Sequence, residues 1–240
     1  MQKLSRKQRE ILTRHELILD TAVKLIAEGG FGNFRMERIA ELTEYSKGTI
    51  YQHFQCKEDV LIHLCMRGQR VWAEFFDRAL RFQGLSRERL LAFHLAHELY
   101  AKLYPVEYAS IYMVKSVGVR EKISPERHAA EDELMKGILD KVAIVVAEGV
   151  ALGDVTLPRQ MTAQDLIYGF WATHYGNLML ETYNFSYRNM GISDPANNRK
   201  QMLRALLDGL PWRPVSHEHD YAATAQRIIG ELFPEADQLQ

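Results

Sequence analysis

The sequence predicts an all-α fold with an N-terminal helix-turn-helix and a larger helical domain behind it. Apolar residues recur at helical spacing along most of the 240 residues, which is typical of amphipathic helices. No segment alternates apolar and polar residues between turn signals, as a strand would. No internal repeat or low-complexity tract interrupts the pattern. We expect two domains, one over residues 1–56 and one over residues 57–240.

The first predicted helix covers residues 16–28. Its apolar residues have the spacing of one helical face and are Leu17, Ile18, Ala22, Leu25 and Ile26. Gly29 and Gly30 follow, and they are expected to end the helix because glycine adopts the backbone conformations that a helix terminus needs. This helix should pack behind the two that come next.

Residues 37–61 contain a helix, a polar break and a second, short helix. The apolar face of the first helix is Ile39, Ala40 and Leu42. After the break at Thr43, Ser46 is placed to N-cap the second helix, because its hydroxyl can accept a backbone N–H from the first turn. Ile50 and Phe54 lie four residues apart and should face inward. This spacing fits a compact helix-turn-helix.

The outward face of the second helix has the character of a surface that reads DNA. Its residues are Lys47, Gly48, Thr49, Tyr51 and His53. A helix whose first residues are small and polar can enter the major groove, where these residues contact base edges. Gly48 has no side chain, so the helix can approach the DNA closely at that position. Double-stranded DNA is therefore an expected partner.

Capping residues and prolines divide the rest of the chain into further helices. The expected helices cover residues 57–83, 90–104, 106–117, 125–149, 162–184, 195–209 and 217–233. Ser86 and Asp194 precede two of them as N-caps, and Thr162 with Asp165 resembles a capping box. Pro105 should separate two helices because proline breaks the backbone hydrogen-bond ladder.

Residues 39–61 resemble the N-terminal domain of TetR/AcrR-family transcriptional regulators. The family pattern has IA, then S-K-G-T-(L/I)-Y-x-(H/Y)-F, then K-E-x-L. The matching positions are Ile39-Ala40, Ser46-Lys47-Gly48-Thr49-Ile50-Tyr51, His53-Phe54, Lys57-Glu58 and, just beyond, Leu61. The likeness covers about residues 10–65, and beyond them it depends on helix order and on residues 206–210.

The resemblance implies roles for individual residues in DNA binding. Thr49 and Tyr51 would contact phosphates, Lys47 would reach the backbone or a base edge, and Lys57 would hold a phosphate. Phosphate contacts of this kind set the register, while few residues read bases. The predicted DNA-binding residues are Arg35, Ser46, Lys47, Gly48, Thr49, Tyr51, His53 and Lys57.

The chain departs from the family pattern at two places. Residues 43–45 read Thr-Glu-Tyr where the family usually has Ala-Gly-Val, so a residue with a Cβ must take a turn position that suits glycine. Phe34-Arg35 stands where the family usually has a capping Thr or Ser. We expect Asn33 to cap the next helix instead and Arg35 to supply the phosphate contact.

Charge and composition limit the classes of function. The formal net charge of −1 argues against a protein that coats nucleic acid nonspecifically. Positive charge is concentrated at the N-terminus, in Lys3, Arg6, Lys7, Arg9 and Arg14. This arm would either follow the DNA backbone or minor groove, or serve as a solubilising tail.

The sequence predicts a cytoplasmic protein without a cofactor. No apolar run is long enough to cross a membrane, and the N-terminus lacks the apolar core of a secretory signal. Cys56 and Cys65 are expected to be thiols. With His53 and His63 they lie close in sequence, but their spacing is not that of a standard zinc site, so no metal is expected.

Two later helices carry apolar stripes that predict a homodimer. The stripes, which include small residues for close approach, comprise Leu166, Phe170, Thr173, Asn177, Leu180, Met202, Leu203, Leu206 and Leu210. Two such helix pairs could close a four-helix bundle across a two-fold axis. The resemblance implies the same, since family members pair through their eighth and ninth helices. The alternative is that the stripes belong to the core of one chain.

Aromatic and imidazole side chains in the larger domain predict a small-molecule site. The candidate ligand-binding residues are Trp72, Phe76, His97, Tyr100, Tyr104, Tyr108, Tyr112, Trp171, His174 and Tyr175. A cavity lined in this way would suit an apolar or aromatic effector that a few polar groups orient. The alternative is that these residues are core.

The sequence therefore predicts a ligand-responsive homodimeric regulator, acting as a repressor that an effector releases from a palindromic operator. Two other classes of protein are alternatives. An all-α enzyme could use His94, His97 and Glu98, but the chain has no nucleophile and base set, phosphate loop or metal set that would identify one. A helical interaction module could use the helix-turn-helix for protein contacts.

Overall fold

A computed structural model describes residues 5–182 and 187–239, and every regular element in these two ranges is helical. The α-helices are α1 Arg6–Asn33, α2 Met36–Thr43, α3 Lys47–His53, α4 Lys57–Leu80, α5 Ser86–Leu103, α6 Pro105–Met113, α7 Val117–Arg120, α8 Pro125–Leu152, α9 Ala163–Thr182, α10 Pro195–Gly209 and α11 Tyr221–Leu232. Two short 3₁₀ helices cover Tyr187–Met190 and Pro234–Leu239. The all-α prediction is confirmed.

The N-terminal arm is helical, which the sequence interpretation missed. α1 begins at Arg6 because Ser5 and Gln8 form a capping box, with the Gln8 N–H donating to Ser5 Oγ at 3.2 Å and the Ser5 N–H donating to Gln8 Oε1 at 2.8 Å. The predicted stop at Gly30 is present as a break inside α1, where this glycine has φ 70°. Lys3, a predicted part of the arm, lies outside the described residues.

Several later boundaries agree with local signals in the sequence. Asp194 caps α10 by accepting the Asn197 N–H at 2.9 Å, and Thr162 with Asp165 forms the predicted capping box ahead of α9.

Other predicted boundaries differ from the structure or fall outside it. The segment 106–117, predicted as one helix, is divided into α6 and α7. Asn184, the predicted end of α9, lies outside the described residues.

The chain packs as two compact units. One comprises Met1–Trp72 and Tyr100–Lys136, and the other comprises Ala73–Leu99 and Gly137–Gln240. The predicted division after residue 56 separates the expected DNA-reading part from the remainder of the chain. It concerns function rather than packing and stays a prediction.

The first unit has an apolar core beneath the helix-turn-helix. The core residues are Ile18, Leu19, Ala22, Ile26, Phe34, Met36, Ile39, Ala40, Ile50, Phe54, Val60 and Leu64. Beside this core, the Arg67 guanidinium ties α1 to α6, with 2.7 Å to Asp20 and 2.9 Å to Glu107. The carboxylate of Glu131, fully buried, accepts from Gln69 and Lys115. Buried charges of this kind are tolerated because they are paired.

The second unit contains a tightly packed contact around Trp212. Arg87, almost fully buried, donates to the Trp212 carbonyl at 2.6 Å and pairs with Asp208 at 2.7 Å. The indole N–H of Trp212 donates to Ser86 Oγ at 2.9 Å. A Cβ on Gly149 would come within 2.6 Å of the Trp212 ring. Gly149 is therefore needed for this packing and does not end α8, which continues to Leu152.

Candidate nucleic-acid interface

The turn between α2 and α3 positions α3 through two local features. Glu44 takes the left-handed backbone conformation, φ 57° and ψ 21°, that the family's usual glycine adopts at no steric cost. Ser46 caps α3, because its Oγ accepts the Thr49 N–H at 3.0 Å. Both predictions about this turn are confirmed. α3 is therefore a seven-residue helix whose first turn is stabilised by the side chain of Ser46.

α3 has a buried inner face and an open outer face. Ile50 and Phe54 have no exposed surface and join the core of the first unit. Lys47 and Gly48 are exposed, and Tyr51 is 46% exposed. A bulky side chain that stays this open on a short, anchored helix is available for contact with another molecule. The structure therefore places these three predicted residues on one accessible face.

Other predicted contacts are occupied within the protein. The Thr49 hydroxyl lies 2.9 Å from Ser46 Oγ, and the Lys57 ammonium lies 4.9 Å above the Phe31 ring. Arg35 is exposed and donates to the carbonyls of Gly32 and Phe34 at 2.8 and 2.9 Å. These side chains must release or share their present partners to reach a phosphate.

The expected cap of α2 by Asn33 is wrong. The Asn33 amide donates to the Gly29 carbonyl at 2.9 Å and so belongs to the end of α1. Arg35 occupies the N-cap position of α2 and makes no side-chain capping bond. The sequence did not reveal this because Asn33 can satisfy backbone groups on either side of it.

A histidine cluster supports the C-terminal end of α3. His15 of α1 stacks on Phe54 with ring centres 4.6 Å apart, and His63 of α4 meets both rings edge-on at 4.9 and 5.2 Å. Burial, with the neighbouring His63, lowers the pKa of His15 to about 4. Burial, with the nearby Arg14, lowers the pKa of His53 as well. Both rings are therefore neutral near pH 7, and His53 is half-buried against this cluster.

The N-terminal part of α1 adds basic side chains beside the turn. A cleft of about 350 Å³ is lined by Arg6, Arg9, Glu10, Thr13, Arg14 and Tyr45. Arg6 is paired with Glu10 at 2.8 Å, while the Arg14 guanidinium lies 5.3 Å from the centre of the Tyr45 ring. The structure thus places Tyr45, one of the departures from the family pattern, against an arginine. The sequence interpretation missed this contact because it joins residues that are distant in sequence.

Neither cysteine has the character of a reactive thiolate. Burial and the Glu58 carboxylate raise the pKa of the Cys56 thiol. Burial and Glu131 raise the pKa of Cys65 still further. Thiolates, rather than thiols, react with oxidants and metals. Within residues 5–182 and 187–239, no group of three or more potential ligands is arranged to hold a metal ion.

The predicted ligand-binding residues lie in both units. In the first unit, Trp72 stacks on Tyr100 at 5.6 Å, and Tyr100 contacts Tyr104 and Tyr108 at 5.8 and 6.0 Å. Tyr112 continues the row 5.6 Å from Tyr108. Pro105 does not interrupt these ring contacts. The first unit therefore brings together five of the predicted residues.

The second unit brings together the remaining predicted ligand-binding residues in two groups. His97 lies 4.1 Å from His174 and 6.4 Å from Phe76, measured between ring centres. Trp171 stacks on Tyr175 at 6.3 Å. All five side chains are buried or half-buried.

The predicted dimer residues lie on α9 and α10, which pack against each other, except for Leu210, which directly follows α10. Leu180, Met202 and Leu206 are 48%, 49% and 38% exposed, whereas Leu166 and Leu210 are buried within the chain. The other predicted members are half-buried and are Phe170, Thr173, Asn177 and Leu203. A second chain could directly contact the three exposed side chains, Leu180, Met202 and Leu206.

No helix in the described parts of the chain combines the length and the apolar character that a bilayer span requires.

Comparisons with known proteins agree with this architecture. Residues 18–64 match the family described as bacterial regulatory proteins, tetR family. The fatty acid metabolism regulator protein of Bacillus subtilis (strain 168) is 28% identical over 150 residues, which is 60% of this chain and 75% of that protein. The matched family segment contains α2, the turn and α3.

Solved structures share the fold at low identity. The fatty acid degradation regulator FadR of Bacillus halodurans is 22% identical, with a TM-score of 0.61 over 88% of this chain and all of that one. A regulator from Saccharomonospora viridis, solved in complex with choline, is 22% identical, with a TM-score of 0.63 over 82% of this chain and 96% of its own. Residues 18–64, which contain the helix-turn-helix, therefore resemble the tetR family of bacterial regulatory proteins, and the chain shares the fold of these solved regulators.

Proposed function

We propose that this regulator is a homodimeric repressor whose paired α3 helices read the two halves of a palindromic operator. A small apolar or aromatic effector, bound in the helical body, releases the repressor from DNA. The protein acts in the cytoplasm, where its operator lies. The observation that carries the proposal is the open outer face of α3, with Tyr51 46% exposed above the fully buried Ile50.

The charges around α3 support a DNA-binding role for this face. Lys47 is exposed at the start of the helix, and basic side chains of α1 line the cleft beside Tyr45. Contacts from Lys, Arg and Tyr to phosphates provide affinity and fix the register of a reading helix. Lys47 and Tyr51 are the residues proposed to contact DNA first, with Thr49, Lys57 and Arg35 contributing after they exchange their present partners.

The exposed apolar positions on α9 and α10 support dimerisation. Leu180, Met202 and Leu206 are large apolar side chains that remain open on neighbouring helices. Large apolar side chains of this kind are stabilised when a second copy covers them. A dimer also supplies the second α3 that an inverted operator needs, since the two half-sites lie in successive turns of the major groove.

Buried aromatic clusters support an apolar or aromatic effector. The tyrosine row around Tyr100 and the cluster around His174 supply aromatic surface with a few polar groups, as small-molecule sites usually do. Two relatives bear names that refer to fatty acid metabolism or degradation, and one structure holds choline. A lipid-derived molecule is therefore a sensible first class of effector to screen.

Release requires that the effector bind two conformations unequally, because equal affinity shifts no population. A small change in the separation of the two α3 helices would suffice, since both half-sites must be met at once. α4 carries residues that belong to each compact unit. It is the helix through which we propose that the change is transmitted.

Selection of bound duplexes from random DNA tests the proposal, followed by a screen for compounds that release them. The expected result is an enriched inverted repeat that the wild-type protein binds and that Lys47→Ala binds at least tenfold more weakly. Arg81→Ala, which removes an exposed charge just after the end of α4, is the matched control and should bind normally. Recovery of duplexes with no common sequence would refute the proposal.

A further inference from the structure

A positively charged cleft lies between the N-terminal turns of α1 and the turn before α3. It has a volume of about 350 Å³, and its lining residues are Arg6, Arg9, Glu10, Thr13, Arg14 and Tyr45. Five of these six residues belong to α1, at spacings of three and four that place them along one side of the helix. Three guanidinium groups against one carboxylate give the cleft a net positive charge, which suits an anion.

The α1 side of the cleft is an ordered helix. The capping box of Ser5 and Gln8 fixes the first turn of α1, so Arg6 and Arg9 project from a helix and not from a loose arm. A segment that is disordered before binding must lose that freedom when it binds, and a preformed helix does not. The cleft therefore presents its charges in a fixed arrangement, which a solubilising tail does not need.

The charged groups of the cleft are accessible or held by weak contacts. Arg6 pairs with Glu10 at 2.8 Å, but the two side chains are 88% and 56% exposed, and an ion pair this exposed contributes little. Arg9 is exposed as well. The Arg14 guanidinium lies 5.3 Å from the centre of the Tyr45 ring, in a contact that involves its charge and the face of the ring. An anion can therefore enter without breaking a strong interaction.

The cleft adjoins the reading helix. Tyr45 lies two residues before Lys47, the first residue of α3, which limits the separation of their Cα atoms to about 7 Å. His15, the residue after Arg14, lies 5.9 Å from His53, the last residue of α3, measured between ring centres. This part of α1 therefore contacts both the turn before α3 and the end of α3.

A helix in the major groove has a phosphate backbone on each side. The groove is about 12 Å wide, and an α-helix with its side chains is about 10–12 Å across, so α3 would fill most of that width. A positive cleft within about 7 Å of the start of α3 then lies where one of the two backbones passes. The cleft is large enough for a phosphate group, because one water molecule takes up only about 30 Å³ of the liquid.

We propose that this cleft binds a phosphate of the operator backbone, beside the base pairs that α3 reads, through Arg9, Arg14 and the Thr13 hydroxyl. Tyr45 is a positioning residue, since its ring holds the Arg14 guanidinium beside the turn. α1 is then a second element that contacts DNA. The inference rests on the proposed function, because it extends the same DNA-binding surface.

A phosphate contact differs from the other roles available to the basic part of α1. Side chains in the minor groove respond to the base pairs that form it, whereas a phosphate contact sets the register and carries no sequence information. A solubilising tail depends on no particular phosphate. The proposal therefore predicts a loss of affinity that is confined to one phosphate in each half-site, with an unchanged base preference.

A scan with neutral methylphosphonate linkages, placed at one position at a time in both half-sites of the selected duplex, tests the site directly. Replacement of the phosphate in the cleft should weaken binding of the wild-type protein about tenfold. Arg9→Ala should bind the unmodified duplex more weakly and should lose its sensitivity at this position, because both changes remove the same contact. Lys7→Ala, which removes an exposed charge of α1 outside the cleft, should retain the sensitivity. The proposal is wrong if no position behaves in this way.

The positioning role of Tyr45 has its own pair of variants. Tyr45→Phe retains the ring and should give the wild-type methylphosphonate profile. Tyr45→Ala releases the Arg14 guanidinium and should reduce the sensitivity at the same phosphate that Arg9→Ala identifies. A Tyr45→Ala protein with the full wild-type sensitivity at that phosphate would show that Tyr45 does not position Arg14.

Salt dependence and the carboxylate of Glu10 provide independent evidence. Arg9→Ala should reduce the salt slope by about one unit per subunit, because one fewer counterion is released, whereas Arg9→Lys should retain it. Glu10→Gln removes the carboxylate that pairs with Arg6 and should raise affinity severalfold. Glu28→Gln, at an exposed carboxylate near the other end of α1, should not. Equal slopes for Arg9→Ala and the wild-type protein would contradict the proposal.

Selection from random DNA, repeated with Arg9→Ala, separates this inference from the proposed function. The expected result is the inverted repeat that the wild-type protein selects. A changed preference at the flanking base pairs would show that α1 reads bases, which refutes the phosphate site and leaves the operator intact. If neither protein selects a common sequence, the operator is refuted. The salt slopes on a random duplex then still test the cleft, because phosphate contacts do not depend on sequence.

Discussion

The guanidinium of Arg14, on α1, lies 5.3 Å from the centre of the Tyr45 ring, in the turn of the helix-turn-helix. Cation and π surface attract each other at this distance. The contact links the N-terminal extension of α1 to the turn that positions α3. Tyr45 is half-buried, and it stands where the family usually has a small aliphatic residue. In this chain the turn is therefore supported by an aromatic and basic pair.

A double-mutant cycle on Arg14→Ala and Tyr45→Ala should reveal a coupling energy of about 0.5–1 kcal/mol, the usual range for such a contact near the surface. The free energy of unfolding in urea gives the four values that are needed. If the decreases in unfolding free energy of the two single mutants add up to the decrease in the double mutant, the two side chains do not stabilise each other.

The stability that the Ser46 cap gives to α3 can be measured separately from the role of Ser46 in DNA binding. Ser46→Ala should lower the free energy of unfolding by about 1 kcal/mol, because the Thr49 N–H loses its acceptor. Ser46→Asp should retain that stability, since aspartate is also a good N-cap, yet weaken DNA binding by placing negative charge beside phosphates. Urea unfolding and fluorescence anisotropy measure the two effects. Equal stability of Ser46→Ala and the wild-type protein would show that the cap does not stabilise α3.

Proton binding at His15 should make the first unit less stable in acid. Its pKa of about 4 lies below the ordinary histidine value of 6.5, so the unfolded chain binds more protons between these two values. Stability is then complete above about pH 6.5 and declines as the pH falls toward 4. His15→Phe removes the titrating group and retains the ring that stacks on Phe54.

The measurement for His15 is the difference in unfolding free energy between pH 7.5 and pH 5. The difference should be smaller in His15→Phe by up to about 1 kcal/mol, a value reduced because solvent screens this half-exposed ring. His217→Phe, at an exposed position, is the control and should behave as wild type. An unchanged pH dependence in His15→Phe would show that His15 titrates normally.

Charges placed on the exposed apolar positions of α10 should prevent dimerisation. Met202→Glu combined with Leu206→Glu would bury two unpaired carboxylates at the proposed interface, which is strongly unfavourable. Sedimentation at micromolar concentration should then give a monomer. Val117→Glu, at a side chain that is 73% exposed in the first unit, should remain a dimer. A wild-type protein that already sediments as a monomer would contradict the interface.

Removal of phosphate contacts should weaken binding to all duplexes alike. Tyr51→Phe and Lys57→Ala are expected to lower affinity for specific and nonspecific DNA by similar factors. Lys57→Ala should also reduce the salt dependence by about one unit of slope, because one fewer counterion is released. Anisotropy titrations over a range of salt concentrations measure both quantities. An altered base preference with an unchanged slope would show that these residues read bases.

Local signals in the sequence predicted much of the fold. The caps at Ser46, Thr162 and Asp194 depend on residues three positions away, so they can be recognised from spacing. The capping box of Ser5 and Gln8 had the same kind of signal, and it was missed because the basic residues that follow suggested a loose arm. Helical order at the N-terminus was therefore predictable in principle.

Contacts between residues distant in sequence could not be predicted in the same way. Arg87 is buried against Trp212, and Arg199 is buried between Glu98 and Glu181. Charged residues are usually exposed, so nothing in the local pattern distinguishes these two arginines. The Nδ1 atoms of His94 and His174 lie 2.8 Å apart, and this contact likewise depends on how α5 and α9 pack, which spacing along one helix does not reveal.

Photo-cross-linking at the outer face of α3 tests the central claim most directly. A benzophenone amino acid in place of Tyr51, irradiated with a duplex obtained by selection from random DNA, should form a covalent protein–DNA product at bases within the recognised sequence. The same amino acid in place of Tyr168, which is 67% exposed on α9, should form none. Cross-links at Tyr168 but not at Tyr51 would show that the protein binds DNA through a different surface.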